Sequence, residues 1–190
     1  MKPVGALPAV ALSLAVLANV ATGDDRAALE QGAQQVAAQF VARLQPQLKD
    51  ALQSGGPANA IEVCSVQAPL IAGELSGETG WHITRVSLKP RNTQRAQADT
   101  WEREVLQAFD RRAAAGAAPE SLRTSAVVEG RYRYMQAQPV QPVCLICHGE
   151  KLSAEVATAL GKYYPGDIAT GYRAGQVRGA ISVSRPWLGE

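Results

Sequence analysis

Residues 144–150 carry the side chains of this chain whose types and spacing most directly suggest chemistry. They read CLICHGE and hold two of the three cysteines and one of the two histidines of the 190-residue chain. The pattern C-x-x-C-H is that of c-type haem attachment, in which Cys144 and Cys147 bond to the haem vinyl groups and His148 is an axial ligand. The motif therefore predicts one covalent haem c.

Two other interpretations of the motif need partners that the sequence does not offer. A zinc site needs a second pair of ligands with similar spacing, whereas outside the motif the chain has only Cys64 and His82. A thioredoxin-like dithiol is expected where a strand leads into a helix within a βαβ pattern, whereas prolines precede this motif and a glycine follows it. We therefore favour covalent haem over both.

The second axial ligand of the iron has several candidates. Cys64 is left unpaired once the motif cysteines carry haem, and a thiolate on iron would lower the reduction potential. Its other interpretation is a small buried apolar residue. His82 would give bis-histidine iron, or else it is a surface imidazole on a strand. Met135, the one methionine after Met1, or an open site completes the alternatives.

Two helices are predicted ahead of the motif. Apolar side chains recur about every fourth residue from Asp24 to Ser54, which indicates a long amphipathic helix that ends at the Gly55-Gly56 pair. Pro46 predicts a kink or break near Arg43. The helix either packs on the rest of the protein or is exposed for dimerisation or docking.

The second helix begins at Pro57, because proline suits the first turn of a helix. Ile61, Cys64, Ala68 and Ile71 are spaced 3, 4 and 3 residues apart, which places Cys64 on the buried face.

The remaining pattern predicts strands with further helices between them. Residues 81–89 alternate as a strand, a helix capped by Asp99 follows, and two strands pair around Gly130. Ser153 could cap a short helix, and residues 180–187 form a closing strand. This order predicts an α+β fold with an antiparallel sheet.

The first 23 residues have the features of a secretory signal peptide. Lys2 precedes an apolar stretch that extends to about Val20, and small residues follow. We expect cleavage between Ala18 and Gly23 and a periplasmic protein, with an uncleaved anchor as the alternative. After the signal (1–23), the predicted units are an N-terminal helix (24–56) and a haem domain (57–190). The formal net charge of +2 points to neither nucleic acid nor an anionic membrane.

Several motifs in a fixed order resemble one known family. They are AIEVC at 60–64, a strand that ends in SLKPRN, WE at the start of a helix, RYM, PVCLICHG, and finally YYPGDIATGYRAGQVRGAISV. This order, over about residues 30–185, is similar to that of exported single-haem proteins with a PAS-like domain of unknown function. The resemblance implies a PAS-like antiparallel sheet flanked by helices. It also implies that His148 is the proximal ligand of a haem c and that Cys64 is the distal one.

The same resemblance bears on the loop after residue 90. The family has an RN pair there, so Arg91 is our first candidate to bind a haem propionate. The chain departs from the family at Thr93-Gln94-Arg95, where proline and a further asparagine are usual, which leaves the loop conformation open. YPGD at 164–167 is interpreted as a turn that covers a haem edge. The other candidate partners of the propionates are Arg85, Lys89, Arg131, Arg133, Arg178, Tyr132 and Tyr172.

Two classes of function follow from a single haem. In the favoured class the protein is not an enzyme: it is a redox or diatomic-gas sensor, or an electron carrier, and its partner is a redox protein or a separate signalling protein. The long helix leaves a homodimer open. The alternative is a haem enzyme of peroxidase or nitrite-reducing type with an open distal site. It would need an acid or base beside the iron, for which His82 is the only spare histidine.

Overall fold

The computed structural model describes residues 23–189, so the predicted signal peptide, apart from Gly23, lies outside the described residues. No helix within those residues is long and apolar enough to cross a membrane. The elements in chain order are α1 (Gly23–Thr79), β1 (His82–Val86), α2 (Thr100–Ala114), β2 (Arg123–Val128), β3 (Arg131–Pro139), α3 (Leu145–His148), α4 (Ala154–Tyr163) and β4 (Val177–Pro186), with single 3₁₀ turns at Pro119–Ser121 and Pro142–Cys144.

The first element, α1, consists of two helical segments joined at a glycine pair. Gly55 and Gly56 depart from helical backbone angles, and Gly56 has φ 71°, a conformation that glycine adopts without steric cost. The predicted helix end is therefore confirmed. Of the kink or break predicted near Arg43, the break is wrong, because backbone angles across Pro46 stay helical, and the kink stays a prediction. A proline removes one hydrogen bond, but its fixed φ is itself close to that of a helix.

The four strands form one antiparallel sheet in the order β1-β4-β3-β2. The pairing of β2 with β3 confirms the hairpin predicted around Gly130. Strand β4 lies between β1 and β3, and its Val183 pairs with Ile83 on one side and Tyr134 on the other. The fold is thus α+β with a four-stranded antiparallel sheet and a long N-terminal helix; the more specific PAS-like assignment stays a prediction.

Each face of the sheet is covered by a different helix. On one face α1 contributes Phe40 and Leu75 to a core that includes Tyr134. On the other face α2 contributes Leu106 and Phe109. The first segment of α1 therefore shares a core with the sheet, as the packing interpretation of that helix predicts.

Helix α2 starts as its sequence predicts, and the start can be tested by mutation. The Asp99 carboxylate accepts a hydrogen bond from the Glu102 backbone N–H at 2.9 Å, and the Glu102 carboxylate accepts one from the Asp99 backbone N–H at 3.0 Å. We expect Asp99→Ala to lower the free energy of unfolding by about 1 kcal/mol in urea denaturation, because orphan helix donors lose their acceptor. Glu104→Ala, at an exposed position of the same helix, should change it by less than about 0.5 kcal/mol. Equal losses in the two variants would contradict a capping role.

Candidate functional site

The C-x-x-C-H motif lies in a short irregular stretch that backbone hydrogen bonds fix to a later loop. A 3₁₀ turn leads into α3, and the Gly149 N–H closes α3 on the Leu145 carbonyl at 2.9 Å. The His148 carbonyl then accepts from the Tyr172 N–H at 2.9 Å, and the Gly149 carbonyl accepts from the Gly171 N–H at 3.0 Å. The loop at 169–172 therefore determines where the motif sits.

The same loop orients the His148 ring. His148 Nδ1 lies 2.7 Å from the carbonyl oxygen of Ala169, so Nδ1 carries the proton and donates it there. Burial, reinforced by Arg178 and Arg91, lowers the pKa of His148 to about 2, against the effect of the Ala169 carbonyl. The ring is consequently neutral, with the lone pair on Nε2. This is the form of imidazole that binds a metal.

Arg178 contacts the His148 ring. Its Nε lies 3.1 Å from Nδ1 and 3.4 Å from Nε2, and because Nδ1 is the donor to Ala169, Nε2 is the nitrogen that can accept from the guanidinium. Arg178 Nη1 also donates to Ser87 Oγ at 3.0 Å. Burial lowers the pKa of Arg178 to about 10, with a further contribution from Arg85.

Ser87 was not among the predicted site residues. It is buried and accepts from the Arg178 side chain, and its own hydroxyl lies 2.8 Å from the Arg178 carbonyl oxygen. It therefore ties the end of β1 to the start of β4. The strand alternation placed Ser87 on the same side as Ile83, but only the pairing of two distant strands gives the hydroxyl its partner.

Cys64, on helix α1, is the third cysteine near the motif. Cys147 packs against a cluster that includes Ile61 on α1, and Ile61 lies one helical turn before Cys64 on the same face. The thiols of Cys64 and Cys147 lie close enough to interact electrostatically. Burial raises the pKa of the Cys64 thiol, while Arg85 and Arg91 oppose that rise. The predicted ligand pair thus lies in one region of the fold.

Arg91 lies beside the motif but is already engaged by the protein. It donates through Nη2 to the Cys147 carbonyl, and its Nε forms an ion pair at 3.2 Å with Asp167, without hydrogen-bond geometry. Asp167 closes the predicted YPGD turn, since its N–H donates to the Tyr164 carbonyl at 2.9 Å. Arg91 therefore holds the second motif cysteine against this turn. Its role towards a propionate stays a prediction.

The alternative axial ligands lie elsewhere. His82 is exposed on β1, and Met135 is fully buried in the core between the sheet and α2. Two of the candidate arginines are also distant from the motif: Arg131 donates to Ser184, and Arg133 pairs with Asp99 and Glu102.

The fold and this site define a class: an α+β domain in which a C-x-x-C-H segment lies near a third cysteine and several arginines. The chain belongs to the Tll0287-like family, whose model matches residues 18–186. It is similar to the crystal structure of the cyanobacterial haem protein Tll0287, with 22% sequence identity and a TM-score of 0.61, over 89% of this chain and 99% of that one. This likeness shows a shared fold. No curated protein matches the chain.

Proposed function

We propose that the protein is an exported cytochrome with one haem c bonded to Cys144 and Cys147 and ligated by His148 and Cys64. It would act as a redox or gas-responsive sensor or as an electron carrier. The family membership, the haem protein of similar fold and the C-x-x-C-H motif support haem binding. Export agrees with the predicted signal peptide, because c-type haem is attached outside the bacterial cytoplasm.

The position of Cys64 carries the proposal. Cys64 lies far from the motif in sequence, on the helix whose Ile61 belongs to the cluster that Cys147 packs against. His148, within the motif, is held neutral, and its Nε2 would become available once Arg178 turns away from the ring. One imidazole and one thiol at the same site are the donors that a His/Cys pair needs, whereas His82 is exposed on β1 and Met135 lies in the core against α2.

The charges around the motif fit the acidic groups of a haem. Arg85, Arg91 and Arg178 interact with one another and with the motif, and Asp167 is the carboxylate among them. The guanidinium groups of Arg91 and Arg178 outnumber the single carboxylate of Asp167, so the surroundings of the motif are positively charged. Haem propionates would supply the opposite charge.

The apolar surface near the motif fits the rest of the group. Val143 and Ile146, on either side of Cys144, are 50% and 43% exposed, and Ile168 beside the His148 acceptor is 54% exposed. A porphyrin edge would remove such side chains from water.

The chain's own residues would then have separate roles. Haem, when bound, supplies one-electron redox chemistry and a position for a diatomic gas. Ala169 keeps His148 in the ligating tautomer, and Arg91 keeps the Cys147 backbone in place. Because Nε2 is the ligating nitrogen, Arg178 is expected to turn from the ring towards a propionate. A cysteine that leaves the iron on reduction would favour a sensor, and one that stays would favour a carrier.

Covalent attachment is the first test. The chain would be expressed with a bacterial c-type haem maturation system, and a denaturing gel stained for haem would be read beside the intact mass. We expect wild type to gain the mass of one haem, and Cys144→Ala and Cys147→Ala each to lose all or most of the stained product. Cys64→Ala is the matched control and should keep covalent haem, because Cys64 forms no thioether. Wild type without stain would overturn the proposal.

A further inference from the structure

We infer that Arg85 is the counter-charge of Cys64, a positioning residue whose guanidinium lies beside the distal sulfur and raises the reduction potential of the bound iron. This inference rests on the proposed function and concerns the same site. From the sequence, Arg85 was predicted only as one of several possible partners of the haem propionates.

The chain path places Arg85 along the helix that carries Cys64. The second segment of α1 ends at Thr79, the chain reverses at Gly80, and the Ile83 N–H lies 3.3 Å from Ser76 Oγ. Ile83 packs with the second segment through Ile71 and Leu75. The next residue on the same side of β1 is Arg85, and it lies further from the turn, in the direction of Cys64.

The electrostatics of the two residues are reciprocal. Among charged neighbours, Arg85 has the largest effect on the Cys64 thiol, and Cys64 has the largest effect on the Arg85 guanidinium. Tyr164 and Cys144 act on Arg85 more weakly. Arg85 therefore interacts more strongly with the distal cysteine than with Cys144 of the motif.

Arg85 also differs from its neighbouring arginines in having no engaged partner. Arg91 is bound to the Cys147 carbonyl and to Asp167, and Arg178 is bound to Ser87. Within residues 23–189, Arg85 makes no hydrogen bond or ion pair, although burial lowers its pKa. Arg85 is half-buried, and its positive charge is not neutralised by a carboxylate of the described residues, so it can act on a charge at the Cys64 sulfur.

A fixed cation beside the sulfur has a defined effect on the iron. The ferrous site carries one positive charge fewer than the ferric site, so a neighbouring guanidinium favours the ferrous state. Removing the guanidinium should therefore lower the reduction potential. We expect the ferric-to-ferrous ratio at a given potential to change about tenfold, which is about 59 mV for a one-electron couple.

The experiment is an equilibrium redox titration of the matured holoprotein, followed optically, for wild type, Arg85→Met, Arg85→Lys and Arg95→Met. Arg85→Met should lower the potential by about the amount stated. Arg85→Lys keeps the positive charge, so its reduction potential should stay close to that of wild type. Arg95, an exposed residue of the following loop, is the matched control and should leave the potential unchanged.

Two results would overturn the inference while the proposed function stands. One is an unchanged reduction potential in Arg85→Met, and the other is a reduction potential that is lowered as far in Arg85→Lys as in Arg85→Met. Wild type without covalent haem would instead overturn the proposed function and this inference with it. Circular dichroism checks the fold, and Arg85→Gln replaces Arg85→Met if the latter does not accumulate folded.

Discussion

Cys64→Ala is expected to convert the ferric iron from low-spin to high-spin. Alanine has no donor atom, so the iron would lose its thiolate and keep only His148 as an axial protein ligand. The measurement is low-temperature EPR of the ferric protein with ferric and ferrous optical spectra, on wild type and variant, both matured with covalent haem. Wild type should show thiolate-type low-spin signals, and the variant should lose nearly all of them.

His82→Ala is the matched control for this experiment. His82 is the other spare donor that the sequence offers, and it is exposed on β1. We expect its spectra to coincide with those of wild type. If Cys64→Ala also coincided with wild type, Cys64 would be a buried side chain only. A change in the spectra of His82→Ala would then identify the His82 imidazole as the ligand. That result would contradict the positions of Cys64 near the motif and His82 on the surface of β1.

The same samples separate a sensor from a carrier. A ferrous wild type that binds CO has lost its sixth ligand on reduction, which is the property that a gas-responsive protein needs. A ferrous wild type that does not bind CO, beside a Cys64→Ala variant that does, retains its cysteine and suits electron transfer. In both cases Cys64 determines access to the iron.

Local features of the fold were predictable from the sequence because their causes are local. Gly55-Gly56 ended the first helix as expected, and Asp99 and Ser153 cap α2 and α4 through their own side chains. In each case a residue within three positions supplies the physical reason. The break predicted near Arg43 is absent because the fixed φ of proline is compatible with a helix, so the lost hydrogen bond alone does not end it.

The arrangement around the motif was less predictable, because it depends on contacts between distant residues. The fixed spacing of C-x-x-C-H indicates haem c by itself, whereas the contact between Arg178 and His148 joins residues 30 positions apart and depends on how the motif is bonded to the loop before β4. Arg91 was expected to serve a propionate, and the structure shows it bound to the Cys147 carbonyl and to Asp167. Arginine patterns in sequence do not distinguish free from engaged guanidinium groups.

Gly179→Ala tests the junction that supports the site. A Cβ at Gly179 would lie 2.4 Å from the Val86 carbonyl oxygen and 3.2 Å from Ser87 Cβ, so β1 and β4 would have to separate where Ser87 holds Arg178. We expect a loss of about 3 kcal/mol in the free energy of unfolding, the cost of overpacking against backbone. For a chain of this size this corresponds to a fall of about 6–12 °C in Tm, measured by thermal denaturation followed by circular dichroism.

Gly161→Ala is the control, because a Cβ there has no atom within 4 Å and Gly161 lies in helix α4. Alanine should raise the stability by up to about 1 kcal/mol, since it is the better helix former. Opposite shifts in the two variants would show that the close approach of β1 to β4, and not the loss of a glycine, causes the destabilisation. A Gly179→Ala protein as stable as wild type would mean that the strands can separate at little cost, and that the close approach of β1 to β4 does not support the site.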